Sequence, residues 1–190
     1  MFKRFVVGFF SLLMLSVTQA EDSEVFWQPL KEGGKVILVR HAEIDRTFGD
    51  SFLLDESCFS EKNLNDLGRK QAQEIHMQFQ LHKVHINQVL VSPHCRTKET
   101  GEIAFGEYTV EPLLRLTKAL TTEKANANLA QTKELIGNFD GQGNLVLVTH
   151  RPNIGELALI RVEPSEMVIL QPLGDGLFDI ITRIQLHHIE

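Results

Sequence analysis

The chain alternates short apolar runs with longer amphipathic stretches. Three runs are continuous and rich in β-branched residues: Val36-Ile37-Leu38-Val39, Val89-Leu90-Val91 and Leu145-Val146-Leu147-Val148. Runs of this length read as strands buried on both faces of a sheet. Between them the period changes. Leu67, Ala72, Ile75 and Phe79 form a stripe that predicts a helix from Asn65 to about His82, with Asn65 as its N-cap. Gly68 is unfavourable inside such a helix. Thr97 to Ala104 predicts a second helix closed by Gly106, and Thr121 to about Ile136 a third. Asn153 to Ile160 follows Pro152 as a fourth. Met167–Leu170 and Phe178–Ile184 read as late strands joined by the turn Gly174-Asp175-Gly176. Glu21 to Glu32 reads as a short irregular acidic stretch, and Gly33-Gly34 punctuates the first strand. Glu43 to Asn63 is polar with scattered aromatics and predicts a long loop beside the first strand end. Strands alternating with helices predict an α/β domain with a mostly parallel sheet and a late antiparallel edge.

Residues 1–20 stand outside this pattern. Lys3 and Arg4 precede an apolar run from Phe5 to Leu15, and Thr18-Gln19-Ala20 offers small residues for cleavage. This is the layout of a secretory signal peptide, and the run is too short to span a bilayer comfortably. An uncleaved anchor is the alternative. Cleavage after Ala20 leaves residues 21–190 as one domain, exported to the periplasm or beyond. It also leaves 17 basic residues against 25 acidic ones, a net charge of −8. An acidic chain argues against nucleic acid or an anionic membrane as the main partner. The two cysteines, Cys58 and Cys95, would meet an oxidising compartment, which makes a disulfide between them plausible. Two buried or independent thiols are the alternative.

The candidate chemistry lies where the three apolar runs end. They lead into Arg40-His41, into Ser92-Pro93-His94-Cys95-Arg96-Thr97, and into Thr149-His150-Arg151. Ligands of open α/β sheets bind beyond the carboxyl ends of the strands. Parallel neighbours would therefore gather His41, His150, Arg40 and Arg96 at one edge. A neutral imidazole can attack phosphorus, and nearby cations would keep His41 unprotonated while gripping phosphate. A lone histidine at a strand end would more often be structural. Three such ends in one chain point to phosphoryl transfer.

These residues resemble a known family. Val39-Arg40-His41-Ala42-Glu43 resembles the Arg-His-Gly signature of the histidine phosphatase superfamily, with Ala42 in place of glycine. Asn63-Leu64-Asn65-Asp66-Leu67-Gly68-Arg69-Lys70-Gln71-Ala72 is similar to its Leu-Thr-x-x-Gly-x-x-Gln-Ala element. Ser92 to Thr100 resembles its Ser-x-x-x-Arg-Thr-x-x-Thr element, and Val148-Thr149-His150 the segment carrying its second histidine. The resemblance implies the phosphoglycerate-mutase-like fold, a three-layer αβα sandwich. It implies His41 as nucleophile, with His150, Arg40 and Arg96 around the phosphate. It needs no cofactor and no metal. Among small exported members, the chain looks similar to lipopolysaccharide core heptose phosphate phosphatases, though the substrate does not carry over. The expected activity is a phosphomonoesterase acting on a phosphorylated small molecule or glycan. A mutase, a phosphohistidine phosphatase and a catalytically weak phosphate- or phosphoglycan-binding module are the alternatives.

One departure matters. Many members carry a proton-donating glutamate in a Leu-Arg-Glu-Leu stretch, whereas this chain has Leu113-Leu114-Arg115-Leu116. Glu43, Asp45, Glu111 and Glu123 are candidate substitutes. His76, His82 and His85 cluster in sequence, and His187-His188 close the chain, but no carboxylate or cysteine spacing completes a metal set. They read as solvent-exposed. Trp27 reads as a packing residue.

Overall fold

The computed structural model describes residues 18–186. Most of the segment read as a signal peptide, residues 1–17, lies outside the described residues, as do His187 and His188. One six-stranded sheet organises the molecule, in the order β3-β2-β4-β1-β5-β6. Its strands are β1 (Val36–Arg40), β2 (Ile86–Val91), β3 (Thr109–Val110), β4 (Asn144–Thr149), β5 (Met167–Gly174) and β6 (Leu177–Ile184). β1, β2, β3 and β4 run parallel, and β5 and β6 add an antiparallel edge. The expected sheet is thus the observed one.

Alternation along the strands divides the core in two. Ile37, Val39, Val89, Val91, Val146 and Val148 face one side with Ala72, Ile75 and Phe79 of α2 (Asp66–Leu81) and Ala104 of α3 (Cys95–Phe105). Val36, Leu38, Leu90, Leu145 and Leu147 face the other side with Ile136 of α4 (Thr122–Gly137) and Ile154 and Leu157 of α5 (Arg151–Ala158). Helices cover both faces, so the three layers are present.

The caps follow the expected chemistry. Asn65 accepts from the Gly68 N–H, and Thr121 accepts from the Lys124 N–H. Leu67 is a correction: it is 47% exposed, and the buried face of α2 runs through Gly68, Gln71, Ala72, Ile75 and Phe79. Gly68 lies inside the helix because the helix touches the chain after β1 there. A Cβ at Gly68 would sit 2.0 Å from the Glu43 carbonyl oxygen.

Two elements depart from the sequence reading. The stretch Glu21 to Glu32 belongs to a helix, α1 (Thr18–Glu32), despite Pro29 within it. Trp27 and Leu30, three residues apart, are both buried in the core. Trp27 meets Phe79 edge-on at 5.5 Å and stacks on His82 at 4.5 Å. His82 is therefore buried, unlike His76 and His85, which are exposed as expected. The short strand β3 had no alternating run to announce it; both its residues are exposed, and it pairs only with β2.

Candidate active site

The register of the sheet assembles the site. Val39 pairs with Val148 and Arg40 with Thr149, while Val91 pairs with Val148 from the other side. The three strands therefore end level. The His41 N–H donates to the Thr149 carbonyl at 3.0 Å, and the Ser92 N–H donates to the Val148 carbonyl at 3.0 Å. His41, His150 and Arg96 all lie in this crevice and are all buried.

The motif spacings now acquire a purpose. The Ala42 N–H donates to Thr100 Oγ1 on α3 at 3.1 Å. The Glu43 N–H donates to Gln71 Oε1 on α2 at 2.8 Å. Gly68 and Gln71, three apart, share a helix face, so the glycine admits the chain and the glutamine holds it. Together they fix the turn that carries His41.

Hydrogen-bond partners determine the His41 tautomer. Nδ1 lies 2.8 Å from the Ala42 carbonyl oxygen, which can only accept. Nδ1 must carry the proton, and Nε2 keeps its lone pair. Burial lowers the His41 pKa to about 3, with Arg96 and then Arg40 and His94 adding to it and the Ala42 carbonyl opposing it. The cations thus act as the sequence suggested, but desolvation is the larger cause.

His150 sits 5.5 Å from His41, centroid to centroid. Arg96 Nη2, a donor only, lies 3.3 Å from His150 Nδ1, so Nδ1 accepts and Nε2–H donates to Ser92 Oγ at 2.8 Å. Burial, then Arg96, holds the His150 pKa well below the usual imidazole range. Arg96 also donates to the Ser51 carbonyl at 3.1 Å. Its Nη1 faces Glu61 Oε2 at 4.0 Å and has no hydrogen-bond partner. Arg40 donates through Nη1 to the Val162 carbonyl at 2.8 Å, and its buried Nε has no hydrogen-bond partner. Two guanidinium groups with N–H bonds to spare beside a bare imidazole nitrogen form a site able to hold an oxyanion and present a nucleophile.

The structure also adds residues the sequence did not single out. His94 is fully buried, and its ring meets His150 edge-on at 5.0 Å. Its Nδ1 lies 3.0 Å from Glu61 Oε2, which also accepts from the Cys95 N–H at 3.1 Å. Glu61 Oε1 accepts from the Asp55 N–H at 3.0 Å. The carboxylate therefore caps α3 from across the loop. Glu61 had no local signal in a polar loop; His94 stood within a quoted motif, in a position the motif leaves open. Cys58 and Cys95 form a disulfide with Cα atoms 5.7 Å apart, tying that loop to the first residue of α3.

Three of the four candidate carboxylates are engaged elsewhere, and the fourth is exposed. Glu43 pairs with Arg46 at 2.9 Å, Asp45 binds Thr47, and Glu111 accepts from the Leu113 N–H. Glu123 is exposed in the first turn of α4. None has a hydrogen bond or ion pair to His41, His150 or Arg96. Among the described residues, no cluster of three or more metal-ligating side chains occurs.

The model of the histidine phosphatase superfamily, branch 1, matches residues 36–118, which include the first strand end, α2, the Ser92–Thr100 element and the first turns after β3. Solved structures share the fold. The protein histidine phosphatase SixA complexed with tungstate is 17% identical, with a TM-score of 0.58 over 79% of this chain and 96% of that one. The open reading frame Rv3214 from Mycobacterium tuberculosis is 16% identical, with a TM-score of 0.58 over 78% of this chain and 95% of that one. Phosphoglycerate mutase from Thermus thermophilus is 16% identical, with a TM-score of 0.56 over 80% of this chain and 99% of that one. At these identities the likeness concerns the phosphoglycerate-mutase-like fold alone. No curated protein sequence matches the chain.

Proposed function

We propose that the protein is a phosphomonoesterase that works through a phosphohistidine at His41, in the periplasm or outside the cell. The observation that carries this is the His41 tautomer: Nδ1–H is committed to the Ala42 carbonyl, and Nε2 is neutral and bare beside Arg96 and His150. A substrate phosphate takes the place of the Ser51 carbonyl on Arg96 and adds the Arg40 Nε–H. Nε2 attacks phosphorus, the P–O bond to the leaving group breaks, and the buried cations stabilise the transferring oxygens. Water then attacks phosphorus, the P–N bond breaks, and phosphate leaves.

Export rests on residues 1–20, and a disulfide fits an oxidising compartment. Among the described residues no helix is long and apolar enough to cross a membrane. The resemblance to lipopolysaccharide core heptose phosphate phosphatases makes glycan phosphates the first substrates to assay. A second reading, hydrolysis of phosphohistidine, is favoured by the carboxylate-free Leu113–Leu116 stretch, because an imidazole leaving group needs little proton help.

The test is His41→Ala in the full chain, assayed on a panel of phosphate esters and on phosphohistidine. Turnover should fall by at least about 10⁴-fold while phosphate still binds, because Arg40, Arg96 and His150 stay in place. The wild type, quenched in mid-turnover, should carry an acid-labile phosphate on His41. A mutant retaining more than a few per cent of activity refutes the reading.

A further inference from the structure

A phosphate ester with an alkoxide leaving group needs a proton as its P–O bond breaks; Glu43, Asp45 and Glu111 are held by local partners, and Glu123 is exposed in the first turn of α4. The structure holds another candidate. His94 is fully buried, and its Nε2 is one of five buried side-chain polar atoms with no hydrogen-bond partner among the described residues. Leaving such an atom unpaired costs free energy, and in a native fold it calls for a ligand or a function. Its other nitrogen is fully committed. Nδ1–H donates to Glu61 Oε2 at 3.0 Å, and Glu61 is itself anchored by the Asp55 and Cys95 N–H groups. A carboxylate that fixes one imidazole nitrogen leaves the other as a defined proton acceptor, the logic of a base held by an orienting acid. The ring lies 5.0 Å from His150, which lies 5.5 Å from the nucleophile.

We propose that His94 is the proton carrier of this site and Glu61 its positioning residue. This rests on the phosphatase reading above. In the first step His41 Nε2 bonds to phosphorus and the P–O bond breaks. The departing oxygen takes the proton from His94 Nε2 and leaves as an alcohol. In the second step water bonds to phosphorus and the P–N bond breaks. The water proton returns to His94 Nε2, and phosphate departs. One group thus serves as acid and then as base, and the cycle closes without another reactant.

The charges around His94 come from every element that meets it. Glu61 on the loop favours its protonated form, whereas burial, Arg96 on α3 and Arg115 after the Pro112–Leu114 turn disfavour it. His41 and His150 complete the surroundings. Together these leave the pKa at about 4. A bound phosphate dianion offsets Arg96 and raises it, so the proton is taken up with the substrate.

The experiment compares the full-length wild type with His94→Asn, Glu61→Gln and His41→Ala on nitrophenyl phosphate and on an alkyl phosphate such as glycerol phosphate. His94→Asn should lose about 10²–10⁴-fold in kcat on the alkyl ester and less than about tenfold on the aryl ester. Glu61→Gln removes the charge that favours protonated His94. The high-pH limb of kcat for the alkyl ester should therefore move to lower pH. That limb decides the matter if His94→Asn does not fold, and an unmoved limb overturns the proposal. Equal losses on both esters, or no loss on either, also overturn it. Activity surviving in His41→Ala would instead bring down the phosphatase reading itself.

Discussion

At the residue scale, the site is a set of imidazoles kept neutral by their surroundings. Burial pushes His41, His94 and His150 below the ordinary imidazole value, and Arg96 deepens each shift. Arg96 in turn is lowered only to about 10 and stays charged at neutral pH. The same arrangement couples the site to stability. Each histidine binds a proton more readily in the unfolded chain, where its pKa is near 6.5, than in the folded protein. Its contribution is therefore complete above about pH 6.5 and is lost as pH falls toward the folded value. Within that window each histidine adds a slope of about 1.4 kcal/mol per pH unit. Urea unfolding from pH 7.5 to 4.5 should show stability falling steeply with acid. His41→Asn should flatten the slope by close to one proton's worth in that range, and an unchanged slope would mean that His41 is protonated in the folded protein.

At the element scale, the strands and long helices were legible because their periods are clean. The caps at Asn65 and Thr121 and the positive-φ turn at Gly174-Asp175-Gly176 obeyed local chemistry. The failures have physical causes. In α1 a polar composition and Pro29 argue against helix, and only the burial of Trp27 and Leu30 in the core overrides them. In β3 two exposed residues are held by pairing with β2, which no local pattern encodes. Gly68 shows the reverse, a poor helix residue kept for a contact made far away in sequence. In Gly68→Ala the new methyl group would overlap the backbone oxygen of Glu43, and backbone cannot swing aside as a side chain can. The variant should lose about 1–3 kcal/mol in urea unfolding. Its kcat should fall as well, because α2 and the Ala42–Glu43 turn can no longer meet through Gln71. A variant with wild-type stability and kcat would mean that this approach of helix and turn is unimportant.

At the scale of the whole molecule, parallel pairing explains why the sequence revealed so much of the site. Once three strands are neighbours, residues 40–41, 92–97 and 149–150 must emerge together, whatever the loops do. The loop from 43 to 63 was opaque for the opposite reason. Its placement depends on a long-range link, the Cys58–Cys95 disulfide, and on Glu61 reaching the start of α3. That loop supplies both the Ser51 carbonyl on Arg96 and the carboxylate on His94. The bond should thus matter to function beyond its effect on stability. By the loop-entropy model, a link between residues 37 apart stabilises by about 4 kcal/mol. Cys58→Ser/Cys95→Ser should lower the unfolding free energy by roughly that amount. It should also raise KM at temperatures well below its melting point, since Glu61 would no longer be held in register with Arg96. Reducing the wild type should reproduce both effects, and reoxidation should reverse them. A loss of stability with KM unchanged would leave the disulfide as a staple of the fold, with Glu61 held in place by its hydrogen bonds alone.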